Sequence, residues 1–550
     1  MTRMMFSALI VSLAIPSVLS ATEFFYNCEG DSGTFETPAN WTIKNVPQAE
    51  LYPGEDDAIC CTTGLKVVRF AEPCTTHRVA RVTLDKTGYT KNQKLFMDLN
   101  GGMLDVTNGV AMKASRYEGV VCPLFEVTNG TLRTRKGVTC AGGDNNYRGI
   151  FNAFGPDTHV IIGKGNLSAA GAGSRINIGG GASVRWTETG YPLLSNGEGS
   201  TYKGNDQVKF ELTGAGTSLV CTNGFRVCNN ATFRVADKAV ATFSGFSTLG
   251  QYGRQNRNPV GVDNGGTGGT SGAALEVDDA TLTVTNGASI MVAESDRNPL
   301  TGHSLTIKNG GVFNFSGSTA MNLAFIGSTG KFAKENMIRV YSGGRLSADG
   351  NAVTTEQHDV GSINVGQAGW CVDNGIHVSN GVISVNHITL GGNASASNNW
   401  LRIEGRTGRV VLNQVYAAVG NLTTNRRNPA LGVHNNARVE FAIGPDGFDN
   451  PPIEMTTNVG RIYGVQNETL GQKARIVIED QGFARKHGGE TITLIKTLNA
   501  NNRAYFETLI ADATITAARD DYRGTLSVSE DGKSLLYTAP PARGLMLILR

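Results

Sequence analysis

Apolar and polar residues alternate through this chain in short runs that end on Asn-Gly. Leu104-Asp-Val-Thr-Asn-Gly109 recurs as Phe125-Glu-Val-Thr-Asn-Gly130, Leu282-Thr-Val-Thr-Asn-Gly287, Leu305-Thr-Ile-Lys-Asn-Gly310 and Ile376-His-Val-Ser-Asn-Gly381. A period of two is that of a strand with one buried face, and Asn-Gly supplies the turn that ends it. A unit that cannot bury its apolar side alone must stack on copies of itself, so the repeat predicts a solenoid.

Leu282 and Leu305 stand 23 residues apart, and Ile376 and Leu401 stand 25 apart, while Leu305 to Ile338 is longer. Between 376 and 400 three strands are legible: Ile376 to Val378, Val382 to Val385, and His387 to Gly391, followed by the polar loop 393–399. The expectation is an all-β, right-handed parallel β-helix with three strands per coil. A third-strand pattern closed by Gly repeats at Val160 to Gly163, Arg175 to Gly179, Leu323 to Gly327, Ile363 to Gly366 and Val415 to Gly420. Open solenoid ends need covering. The predicted organisation is therefore a signal peptide at 1–20, a Cys-rich N-terminal cap at 21–95, the β-helix at 96–460 and a β-rich C-terminal cap or small sandwich at 461–550. Thr491 to Ile495 and Thr525 to Val528 read as antiparallel strands in that last part.

Asn258, Asn336, Asn374 and Asn399 each precede a β-branched residue by four positions. Stacked coils would set their amides about 4.8 Å apart, which predicts an Asn ladder.

Composition narrows the picture. Gly is 70 of 550 residues and charged residues are 17%, as suits many turns and few helical faces. Net charge is +2 with Lys and Arg scattered, so nucleic acid is not an expected partner. Met1 to Ser20 has a basic start, an apolar stretch and a small-residue cleavage site, and predicts secretion; no segment of the mature part is expected to span a bilayer. Nine cysteines fit an oxidising compartment, with four near the N-terminus (Cys28, Cys60, Cys61, Cys74) expected to staple the cap. Cys221 and Cys228 flank a turn and are a candidate disulfide, and Cys122 and Cys140 are another. The cysteine spacing does not suit zinc. No cofactor or metal is expected.

The Leu-x-Val-x-Asn-Gly units, together with Asn40-Trp41, Asp56-Asp57-Ala58-Ile59 and the segment Leu526 to Leu536, resemble the β-strand repeats of bacterial autotransporter-type passenger regions. That resemblance implies a secreted or cell-surface role in adhesion or scaffolding, and brings no catalytic residues. It also implies a membrane barrel of alternating strands, which the residues before Arg550 do not supply, so self-translocation is not expected.

The chemistry available divides into two readings. In the non-enzymatic one, Arg257, Arg297 and Arg427, each in an Arg-Asn-Pro loop, contact an extracellular glycan or cell-surface component, and Trp186, Trp370 and Trp400 are candidate sugar-stacking residues. In the other, a polysaccharide lyase or glycoside hydrolase acts on acidic glycans, with Asp278, Asp279 and His303 as the catalytic candidates.

Overall fold

The structure is a computed structural model that describes residues 22–541, apart from 27–31, 44–51, 62–63, 86–92, 116–121, 141–146, 172, 196–206, 228–229, 245–246, 250–269, 286–289, 296–299, 317–320, 327–331, 350–360, 369, 393–394, 414–428, 465–472 and 518–522. Strands pair in parallel with the equivalent strand one coil away, and the chain winds through three faces per coil. This is the parallel β-helix that the alternation predicts. In the coil from Gly375–Ser379 the three expected strands are present, the others being Val382–Val385 and His387–Leu390. They pair with Trp400–Glu404, Arg409–Leu412 and Ala430–Val433 respectively. On the first face sixteen strands stack from Ser32–Thr34 to Thr514–Ala517. At about 4.8 Å per step they make a column roughly 70 Å long.

The interior is built from columns of like residues. Leu275, Leu305, Ile338, Ile376 and Leu401 lie one above another, as do Val277, Ile307, Val340, Val378 and Ile403. All of them are buried. Each such side chain contributes roughly 1.5–3 kcal/mol by leaving water, and no coil can collect this without its neighbours.

The register corrects the expected repeat length. The true equivalents run from 275 to 305, 338, 376 and 401, giving coils of 30, 33, 38 and 25 residues. The 23-residue step from Leu282 to Leu305 joins different faces, because Leu282 stacks on Phe313 in the second face whereas Leu305 belongs to the first. Likewise the Gly-closed runs do not mark one face: Arg175–Gly179 lies on the first, Val160 on the second, and Ile363 on the third. An alternating strand followed by a left-handed turn residue serves any corner, so the motif by itself carries no address.

A fourth, short parallel sheet stands between the third and first faces in part of the helix, formed by Thr270–Ser271, Leu300–Thr301, Phe332–Lys334 and Trp370–Val372. A bridge from Val372 to Ser397 extends it by one coil. In every one of these coils the chain turns onto the first face through a residue of positive φ: Gly272 (68°), Gly302 (67°), Glu335 (59°), Asp373 (57°) and Asn398 (54°). A side chain at such a φ is strained by about 1–2 kcal/mol. Glu335→Gly is therefore expected to raise stability by up to about 1 kcal/mol, offset in part by the freer unfolded chain, and a urea midpoint comparison measures it.

Both ends depart from the expected boundaries. Parallel stacking begins well before residue 96, with Glu23–Tyr26 on Ala58–Cys61 and Gly64–Arg69 on Gln93–Asp98. Aromatic rings close this end: Trp41 meets Tyr26 at 4.9 Å and Phe35 at 5.3 Å, and its indole N–H donates to the Phe35 carbonyl at 2.7 Å. Cys60 and Cys61 are buried within a strand, and burial pushes the Cys61 thiol up to about 12. Cys28 lies outside the described residues. At the other end parallel pairing continues past 461, through Arg475–Asp480 to Thr514–Ala517. The predicted antiparallel strands are present, Thr491–Lys496 and Thr525–Val528 both flanking Ser534–Thr538. The helix Arg503–Ala511 buries Phe506 and Leu509 against the last coils.

Candidate functional site

The corner between the fourth sheet and the first face carries a buried column of polar side chains. Asn374 Oδ1 accepts from the Asn336 backbone N–H (3.1 Å) and from Asn336 Nδ2 (2.8 Å), and Asn399 Oδ1 accepts from the Asn374 backbone (3.2 Å) and Nδ2 (3.1 Å). In return Asn374 Nδ2 donates to the Ala333 carbonyl (2.9 Å) and Asn399 Nδ2 to that of Cys371 (3.0 Å), both on the fourth sheet. Where the chain bends from one sheet to the next its backbone groups leave the strand ladder, and a buried orphan is costly. The amide satisfies both sides of the bend at once.

Three of the four predicted rungs are thus in place. Asn258 is outside the described residues. The rung above Asn336 is His303, fully buried, whose Nδ1 accepts the Ala273 N–H at 3.1 Å and whose own backbone N–H donates to Asn336 Oδ1 at 3.0 Å. This histidine is a catalytic candidate only in the alternative, enzymatic reading, and its Nδ1 is occupied by a backbone N–H.

Asp278 and Asp279 do not join it. His303 lies beside Ala273, five residues before Asp278 along one strand, which is about 16 Å at 3.3 Å per residue. Catalytic pairs on a glycosidic bond need roughly 5–10 Å. Asp278 faces outward and binds Arg234 (2.9 Å), Asn309 (2.7 Å) and Lys308 (3.6 Å). Partial burial works to raise its carboxyl, but these partners hold it below the ordinary range. Asp279 is the left-handed corner residue (φ 51°) and pairs with Lys238.

The first face continues in this way for many coils. Arg402 is bound by Glu404 (3.1 Å), Glu440 (3.4 Å) and Glu479 (2.6 Å), and Arg438 also pairs with Glu440. The densest titratable group on this face is a chain that no sequence motif announces: Tyr341 Oη lies 2.7 Å from His377 Nδ1, and His377 Nε2 lies 3.0 Å from Glu404. Burial raises Tyr341 and lowers His377. Burial would raise Glu404, yet His377, Arg402 and Ser379 lower it on balance. The cluster links three successive coils. The only signal in the sequence was parity: 339, 341, 377, 379, 402 and 404 all fall on outward positions, but which of them meet depends on the register.

The three tryptophans separate by exposure. Trp186 is buried and donates to the Gly165 carbonyl at 3.0 Å. Trp400 is half-buried with its ring laid over Gly375, where a Cβ would stand 2.2–2.5 Å from ring atoms. Trp370, on the fourth sheet, is 56% exposed.

Arg257, Arg297 and Arg427 lie outside the described residues. Cys221 carries a buried thiol that donates to the Gly190 carbonyl at 3.4 Å, and its expected partner Cys228 is outside the described residues. Among the described residues no group of three His, Cys, Asp or Glu side chains is placed to hold a metal ion, and no helix is long and apolar enough to cross a membrane. No protein-family model matches the chain, and comparison with curated proteins finds no relative.

Proposed function

We propose that this chain is a secreted or cell-surface structural and adhesive β-solenoid, non-enzymatic, which presents a repetitive surface for glycan or cell contact. The observation that supports this most is the first face, where charges are paired across successive coils from Arg234 with Glu276 and Asp278 to Arg402 with Glu404, Glu440 and Glu479. A carboxylate bound to two or three cations serves the rigidity of a rod, whereas a general acid must be able to change its proton. The resemblance to autotransporter-type passenger repeats points the same way, towards display outside the cell.

The test is to incubate the full chain with immobilised acidic and neutral glycans and with whole cells, and to follow retention and glycan cleavage together. Retention without new chain ends is the expected result, and release of oligosaccharides would overturn it in favour of the lyase or hydrolase. Asp278→Asn is expected to lower stability by about 1 kcal/mol, less at high salt, as for a partly exposed ion pair. It is expected to leave glycan retention unchanged.

A further inference from the structure

We propose that Trp370 is the stacking platform of a subsite for an uncharged pyranose unit, held out by the fourth sheet. The inference rests on the glycan-contact reading and gives it an address and a ligand class. At 56% Trp370 is the most exposed of the large apolar side chains among the described residues. An indole left in water on a rigid strand forgoes a large burial gain, and a sugar ring, with one apolar face and a polar rim, is suited to cover it.

The scaffold beneath it is specific. Among the described residues the fourth sheet lies beside the corner column Ala273, His303, Asn336, Asn374 and Asn399, and the coils on either side place Ala231, Ala437 and Ala474 at that position with no buried amide. Closing an ordinary coil therefore requires neither the extra strand nor the buried amides. What they do together is fix the strand Trp370–Val372: Cys371 is fully buried, its carbonyl accepts from Asn399 Nδ2, and it also accepts the Ser397 N–H at 3.0 Å. A binding group on such a support loses little freedom when its ligand arrives.

The surroundings select for a neutral ligand. Next to Trp370 the sheet continues through the bridge from Val372 to Ser397, and Ser395, two residues before it, is exposed. Lys334 is paired with Glu335 at 2.9 Å, and Asp373 adds a further carboxylate near it. An exposed indole whose described neighbours carry no surplus of positive charge fits a hexose better than a uronate or a sulfated unit, which would call for unpaired Arg or Lys.

The experiment titrates the full chain, and its Trp370→Ala, Trp370→Phe and Trp400→Ala variants, with neutral gluco-, galacto- and manno-oligosaccharides and with oligogalacturonate, by calorimetry and indole fluorescence. The wild type is expected to bind at least one neutral probe in preference to oligogalacturonate, with about tenfold or greater loss in Trp370→Ala. Trp370→Phe retains binding, and Trp400→Ala binds as wild type. A wild type that binds none of the neutral probes, or a Trp370→Ala that binds them equally well, overturns the subsite. If Trp370→Ala still adheres to glycan-coated surfaces or cells, contact lies elsewhere and only this proposal falls. If the wild type adheres to none of them, the glycan-contact reading falls as well.

Discussion

Asn374→Leu is expected to lower the unfolding free energy by about 3–5 kcal/mol. The leucine fills the same space but leaves the Asn336 N–H, the Asn336 amide and the Ala333 carbonyl without the partners they have in the column, and each buried orphan costs about 1–3 kcal/mol. Asn374→Asp keeps an acceptor yet buries a charge with no cation in the column, so it is expected to be no better tolerated. Because a solenoid can open locally, the urea midpoint should be read together with hydrogen exchange at the Asn336 amide. Unchanged midpoint and exchange in Asn374→Leu would mean that the ladder does not hold the corner.

Acidification is expected to destabilise the helix before the carboxylates begin to titrate. His387 lies on the third face with Nε2 2.6 Å from Tyr463 Oη, and burial, with His434 nearby, lowers it from 6.5 to about 4. His434 and His377 are lowered as well, chiefly by burial. A histidine depressed in the folded state binds its proton more readily when unfolded. Its contribution is therefore whole above pH 6.5 and is lost as pH falls from there towards 4. For His387 alone the shift corresponds to roughly 3 kcal/mol. Denaturant midpoints at pH 7.5, 6, 5 and 4 should fall steadily through this window, and His387→Gln should flatten the fall. A midpoint constant down to pH 5 would contradict the burial of these imidazoles.

The sequence and the structure agree most closely where a property is local. In Ile376-His-Val378 and Val382-Ile-Ser-Val385 the alternation declares which side chains point inward, whatever lies above or below. Asn336, Asn374 and Asn399 could be singled out as rungs because each stands at the same offset from its own strand. The same reasoning named Asn258, which lies outside the described residues. It passed over His303 as a rung because imidazole and carboxamide look unlike in sequence, although each presents an acceptor to the backbone N–H of the preceding coil.

The candidate sites were legible only as residue types. Asp278 with His303 had the composition of a catalytic pair, and Tyr341, His377 and Glu404 had no pattern at all. Distances between coils reversed that order, setting the first pair apart along one strand and drawing the second group together over 64 residues of chain. Trp370 and Trp400 were equal candidates until exposure distinguished them.

What the sequence alone determined, then, is the class of element and its inward face: a period of two, broken by residues that accept positive φ, allows short strands in coils and little else. The tertiary structure decided which coil lies on which, the unequal lengths, from 23 residues between Phe210 and Phe233 to 42 between Phe233 and Leu275, the added sheet and the partners of each charge. The reason is that strand alternation arises from neighbours two residues apart. Register is chosen by the packing of apolar columns between segments about 25 to 40 residues apart, and that packing exists only once the coils have stacked.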